Sequence, residues 1–98
     1  MKLKEICKEI IFTKHAVQQM FSRTIYKNDV IFSIESGDII KEYKDEKPHP
    51  CYLILNIING KPIHIVLAVD SENKRCVVIT VYLPDPNLWD NDFKTKRE

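Results

Sequence analysis

The chain has 98 residues, 44% of them hydrophobic, and only two glycines. That length supports one domain burying roughly 60–65% of the unfolded chain's surface, and the composition excludes a disordered protein. Fifteen basic against fourteen acidic residues leave a formal charge of +1, so no global field draws the protein to nucleic acid and any anion site must be local.

Leu3, Ile6, Cys7 and Ile10 recur at helical spacing with Lys4, Glu5, Lys8 and Glu9 between them, which predicts an amphipathic first helix. Those charges rule this stretch out as a signal peptide or a membrane span, and the expected location is the cytoplasm. Thr13 is a suitable N-cap for a second helix, whose apolar residues Val17, Met20 and Phe21 are expected to face the core. His15, Gln19 and Arg23 follow at i, i+4 and i+8 and therefore share one polar ridge. Lys27 or Asn28 opens a third helix with Val30, Ile31 and Ile34 as its stripe, and Gly37 is expected to supply the left-handed position that ends it.

From Asp38 the pattern changes to β-branched and aromatic runs. Strands are predicted at Ile39 to Tyr43, Tyr52 to Ile58, Pro62 to Asp70 and Arg75 to Leu83, with Asp45 to Pro50 as a loop. Asn59-Gly60 is a strong type I′ hairpin signal, because both residues tolerate positive φ. Pro84 and Pro86 end the sheet. Trp89 and Phe93 are read as an apolar anchor folding back, and Lys94 to Glu98 as a fraying end. The expected class is α+β: two to three N-terminal helices packed on a four-stranded antiparallel sheet. One domain spans 1–98, with a helical part at 1–37, the sheet at 38–84 and a C-terminal extension at 85–98.

Side chains alternate along a strand, so His64 shares a face with Val66, Ala68 and Asp70, opposite the aliphatic set Ile63, Ile65, Leu67 and Val69. On the last strand Val77, Ile79, Val81 and Leu83 read as core, which leaves Thr80 and Tyr82 on the open face with His64. Each of these residues has an ordinary alternative: a satisfied structural histidine at 64, a solvated imidazole at 15, a surface cation at 23. Cys7, Cys51 and Cys76 are odd in number and lack CxxC spacing, so they read as buried thiols rather than a disulfide framework or a zinc site. His49 and Cys51 alone lack the further ligands a metal needs.

Thr-Lys-His-Ala at 13–16, Arg23 with Ile25, Gly37 before Ile39-Ile40, Ile63-His64-Ile65-Val66, and Thr80-Val81-Tyr82-Leu83-Pro84-Asp85 with Trp89 together resemble a family of small prokaryotic proteins described only as a domain of unknown function. The resemblance runs from about Phe12 to Trp89. That family is grouped with the RelE- and BrnT-like toxins in the barnase, colicin and RelE ribonuclease fold, and its members are often encoded beside zinc-finger antitoxins. The resemblance implies a type II toxin–antitoxin toxin, a metal-independent endoribonuclease with RNA as substrate, an antitoxin as partner and no cofactor. It implies His15, Arg23, His64, Thr80 and Tyr82 as catalytic residues; Gln19 and Arg23, from their place on the helix ridge, are expected to contact the substrate. Many relatives carry Arg or Glu-Arg near the helix histidine, where this chain has Gln18 and Gln19.

The chemistry suits those groups. Metal-free RNA cleavage needs a base for the 2′-hydroxyl, an acid for the departing 5′-oxygen and donors for the phosphorane. The expected assignment is His64 as base and His15 as acid, with the reverse open. Two other functions fit the same fold: a non-catalytic module binding protein or RNA, and a ParE-like toxin with a protein target. An exposed sheet edge leaves room for a second copy or an antitoxin.

Overall fold

The structure, a computed structural model, describes residues 2–97. The elements run α1 (Leu3–Ile6), β1 (Glu9–Phe12), α2 (Lys14–Ser22), α3 (Lys27–Ser36), β2 (Asp38–Tyr43), β3 (Cys51–Ile58), β4 (Lys61–Asp70) and β5 (Arg75–Tyr82). The class is α+β, but the sheet has five strands in the order β1-β5-β4-β3-β2, and β1 pairs parallel to β5. The expected four-stranded antiparallel sheet is therefore short by one strand. The segment read as the end of a first helix is β1: Glu-Ile-Ile-Phe aligns Glu9 to Phe12 with Arg75 to Val78, and this long-range pairing overrides the local helical spacing. Strand β1 also places part of the sheet inside the stretch expected to be wholly helical.

The other strands form the anticipated meander, and Asn59 and Gly60 turn β3 into β4 with φ of 52° and 78°. Gly37 ends α3 without the expected left-handed geometry, at φ −76° and ψ 177°. A Cβ there would lie 2.6 Å from the Ser33 carbonyl and 2.7 Å from that of Leu55, so glycine is required by close approach of two backbones.

One sheet face carries the main core. Ile54, Ile63, Ile65, Leu67, Val69, Val78 and Val81 pack there with Ala16, Met20, Val30 and Ile34 from the helices. The face is continuous across an irregularity in β5, where Leu67 pairs with Val78 and Val66 with Thr80, leaving Ile79 unpaired. Val78 and Val81 are consequently both core, while Val77 and Ile79 are not buried as expected.

Helix α2 starts where β1 stops. The Thr13 N–H donates to the Val78 carbonyl at 3.1 Å and its hydroxyl to that of Ile79 at 2.9 Å, so α2 follows the outer edge of β5. The same hydroxyl accepts from the Ala16 N–H, which makes Thr13 the N-cap it was expected to be. A helix at the sheet's edge buries less than one lying across it. Ala16 and Met20 are buried, but Val17 is 51% and Phe21 89% exposed, contrary to the core role read from their spacing.

Cys7 and Cys76 form a disulfide, which corrects the expectation of buried free thiols. Cys7 lies just ahead of β1 and Cys76 opposite Ile10 on β5, so the strand pairing brings their Cα atoms to 5.2 Å. Cys51 is free.

Candidate functional site

The sheet face away from the helices is a trough. Leu53, Val66, Ala68, Thr80 and Tyr82 lie on it, as the pairings of β3, β4 and β5 require. At one end stands the loop between β2 and β3; at the other, the segment after β5 folds back over the face. Two hollows occupy the trough and share Tyr43: one of about 370 Å³ lined by Pro48, His49, Cys51, Val66 and Ala68, the other of about 290 Å³ lined by Lys41, Leu53, Tyr82, Trp89 and Lys96. A hollow of about 200 Å³ among Thr24, Tyr26, Asp29 and Asn59 holds none of the expected site residues.

His15 stands at the trough's edge. The N-terminus of α2 is pinned to β5 through Thr13, and the exposed His15 reaches over so that its Nε2 shares a 3.0 Å hydrogen bond with the Thr80 hydroxyl. Gln19 and Arg23 continue down the helix. Arg23 is the C-cap of α2, its guanidinium donating to Ser22 Oγ at 3.1 Å. Eight residues of helix separate it from His15, about 12 Å along the axis.

His64 lies on the same face, yet it is completely buried. The Trp89 ring stands edge-on to the imidazole at 4.6 Å and the Tyr82 ring at 5.2 Å. Nε2 lies 2.7 Å from the Phe93 carbonyl oxygen and Nδ1 3.1 Å from the Tyr82 hydroxyl. A carbonyl only accepts, so Nε2 carries the proton, Nδ1 is the bare nitrogen and the Tyr82 hydroxyl donates to it. Two consequences follow for the expected roles. His64 has no free nitrogen and no path to a substrate while the segment lies over it, so the direct base role assigned to it does not fit. Tyr82, its proton committed to His64, offers the trough an acceptor oxygen.

Burial holds the His64 imidazole below the usual histidine range, with the Phe93 carbonyl pulling weakly the other way. Burial also pushes the Tyr82 phenol up. A histidine depressed in the folded state gives stability that is complete above the unfolded pKa of about 6.5 and lost as pH falls from there toward the folded value, because the unfolded chain takes up the proton first. Urea unfolding at pH 7.5 and pH 5 should therefore show lower stability at pH 5, with a smaller loss in His64→Gln. An equal loss in both proteins would remove His64 as the cause. Asp70 and Asp92, lowered chiefly by hydrogen bonds from Asn73 and from the Lys94 N–H, lose their contribution only below about pH 4, outside that window.

His49 lies apart from these groups, with Nε2 3.5 Å from an Asp70 carboxylate oxygen. Among the described residues no group of three or more His, Cys, Asp or Glu is placed to hold a metal. The trough thus brings together Thr80 with His15 and Tyr82 with His64, whereas Arg23, at the far end of α2, lines neither of its hollows. Sequence reasoning missed Tyr43, Lys41 and Lys96, and it missed that Trp89 and the Phe93 carbonyl are the cover on His64. A lone tryptophan in a polar tail was the available signal.

The family described as Domain of unknown function (DUF4258) matches residues 12–83, and the chain belongs to it. The matched region holds His15, Arg23, His64, Thr80 and Tyr82; the segment covering His64 lies beyond it. No curated protein and no solved structure matches the chain.

Proposed function

We propose that this DUF4258 domain is a metal-independent endoribonuclease acting as the toxin of a toxin–antitoxin pair. The observation that carries the reading is the His15–Thr80 hydrogen bond of 3.0 Å, which fixes an exposed imidazole beside an open trough that Tyr82 also lines. A 2′-hydroxyl attacking the adjacent phosphorus must lose its proton, and the departing 5′-oxygen must gain one. His15 takes the 2′-hydroxyl proton on the ring nitrogen not engaged by Thr80, and solvent water protonates the departing 5′-oxygen. The Tyr82 oxygen accepts a hydrogen bond from the ribose and orients it, and Arg23 holds a phosphate further along the strand. His64 acts through Tyr82 as a positioning residue. The antitoxin partner covers the same trough.

The test is direct. Single-stranded RNA incubated with the purified protein and a chelator should yield fragments ending in 2′,3′-cyclic phosphate and 5′-hydroxyl. Intact RNA, or cleavage that requires added metal, would overturn the proposal. One observation favours a second reading, a binding module without catalysis: both nitrogens of His64 are satisfied inside the protein, as in a structural histidine. That reading predicts RNA or protein bound in the trough and no product.

A further inference from the structure

The hollow at the end of the trough away from Trp89 is open as it stands. Across four strands the pairings set Tyr43 beside Cys51, Cys51 beside Ala68 and Ala68 beside Val77. Neighbours in such a row point to one face, so the floor drops from a tall aromatic ring to a thiol and a methyl, and the hollow of about 370 Å³ lies over that step. Its wall is fixed. The Glu46 N–H donates to the Tyr43 carbonyl at 3.3 Å, which turns the loop at its start, and the Val69 N–H donates to that of Pro50 at 3.0 Å, which ties its end to β4. The irregularity in β5 joins this hollow to His15. Ile79, the unpaired residue, lines it; the next residue, Thr80, holds His15 and pairs with Val66, which lines it as well. Paired residues stand about 5 Å apart, so the hollow begins one strand spacing from the residue that holds the imidazole.

A ribose carries its base on the carbon next to the one bearing the 2′-hydroxyl. A nucleotide whose 2′-hydroxyl faces His15 therefore has its base within reach of the hollow, where the Tyr43 ring is a wall to stack on. The mouth is charged. Glu46 and Lys47 both line it, and neither side chain has an ion-pair partner among the described residues. The Glu46 carboxylate is felt inside, since burial first and its charge second push the Cys51 thiol up. A carboxylate offers two acceptors, and an ammonium offers donors. Of the four bases guanine alone presents two adjacent donors, N1–H and the 2-amino group, next to a carbonyl. Adenine and cytosine present one amino group beside a bare ring nitrogen, and uracil one N–H between two carbonyls. We propose that this hollow is the subsite for the base of the nucleotide that supplies the attacking 2′-hydroxyl, and that Glu46 and Lys47 make it favour guanine. The inference rests on the RNA-directed reading of the trough and adds to it a base and a side of the cleaved bond, guanine on the 5′ side.

Cys51 lines the hollow and is the free thiol while Cys7 and Cys76 are joined, so its alkylation reports whether the hollow is filled. The full chain, without reductant, is treated with N-ethylmaleimide in the presence of each of the four nucleoside 3′-phosphates, and the rate is read from the intact mass. These ligands carry the base, ribose and phosphate of the subsite and have no internucleotide bond to cleave. Guanosine 3′-phosphate should slow alkylation saturably, with a dissociation constant at least about ten-fold below that of adenosine 3′-phosphate, the worth of one further hydrogen bond to a charged group. Glu46→Gln should erase most of that advantage, and Ala68→Leu, which fills the floor, should abolish protection by all four. Selectivity of the unaltered chain is a test by itself where a variant fails to fold. Equal protection by the four nucleotides, or a guanosine preference that survives Glu46→Gln, overturns the proposal. No protection by any of them overturns it too and leaves the apolar floor to a protein partner. RNA cut alike after every base, by a chain whose Cys51 is never protected, overturns it while leaving the nuclease reading intact. Guanosine-selective protection in a protein that cuts no RNA supports it and removes the nuclease instead.

Discussion

Removing the Cys7–Cys76 disulfide should lower the stability of the domain by about 4 kcal/mol, the loop-closure entropy expected for a cross-link of this span. The two residues are 69 apart in sequence, so the bond restrains most of the unfolded chain and not a local loop. In a domain of this size that loss corresponds to a fall in melting temperature of roughly 15–30 °C. Thermal unfolding of Cys7→Ala/Cys76→Ala, compared with the unaltered protein with and without reductant, measures it. Reductant leaves every side chain in place, so agreement between the reduced protein and the double variant isolates the bond from the small cavity at Cys76. A melting temperature indifferent to both treatments would contradict the bond's contribution.

The second large effect is expected at His15. If this imidazole moves the proton in RNA cleavage, His15→Ala should reduce the rate roughly 10²–10⁴-fold, the usual contribution of a positioned acid or base. The side chain is exposed, and it stands on the edge of the trough with one hydrogen bond, to Thr80, so the fold should survive its loss. Thr80→Val should give a smaller fall, because the ring then loses its orientation and keeps its chemistry. Arg23→Ala should weaken RNA binding more than it slows the chemical step, as a phosphate contact about 12 Å down the helix would. Initial rates at saturating and limiting RNA separate these cases. An unchanged rate in His15→Ala would take the catalytic role away from this residue.

Much of the trough was legible from alternation alone. Placing His64, Thr80 and Tyr82 on one face needed only the period of two, and the unpaired Ile79 leaves that grouping intact because all three residues lie on the same side of it. The pattern failed where partners are distant in sequence. Glu9 to Phe12 is too short to announce a strand, and its partner on β5 lies 66 positions later; the Cys7–Cys76 pairing depends on that same contact. Val17 and Phe21 follow a proper helical stripe, but the stripe meets solvent because α2 runs along an edge. Trp89 was recognisable as an anchor. Its seat on His64 was not, since nothing in the spacing of a tail tells which side of a sheet it will cross.

Joining the first strand to the last has a consequence for biosynthesis. Strand β5, the last in sequence, cannot receive β1 until nearly the whole domain has left the ribosome, so the amino-terminal segment waits without its partner while the meander assembles. The order of closure is thereby set: hairpin first, then the return of the chain's beginning to its end, and only after that the covalent seal at Cys7 and Cys76.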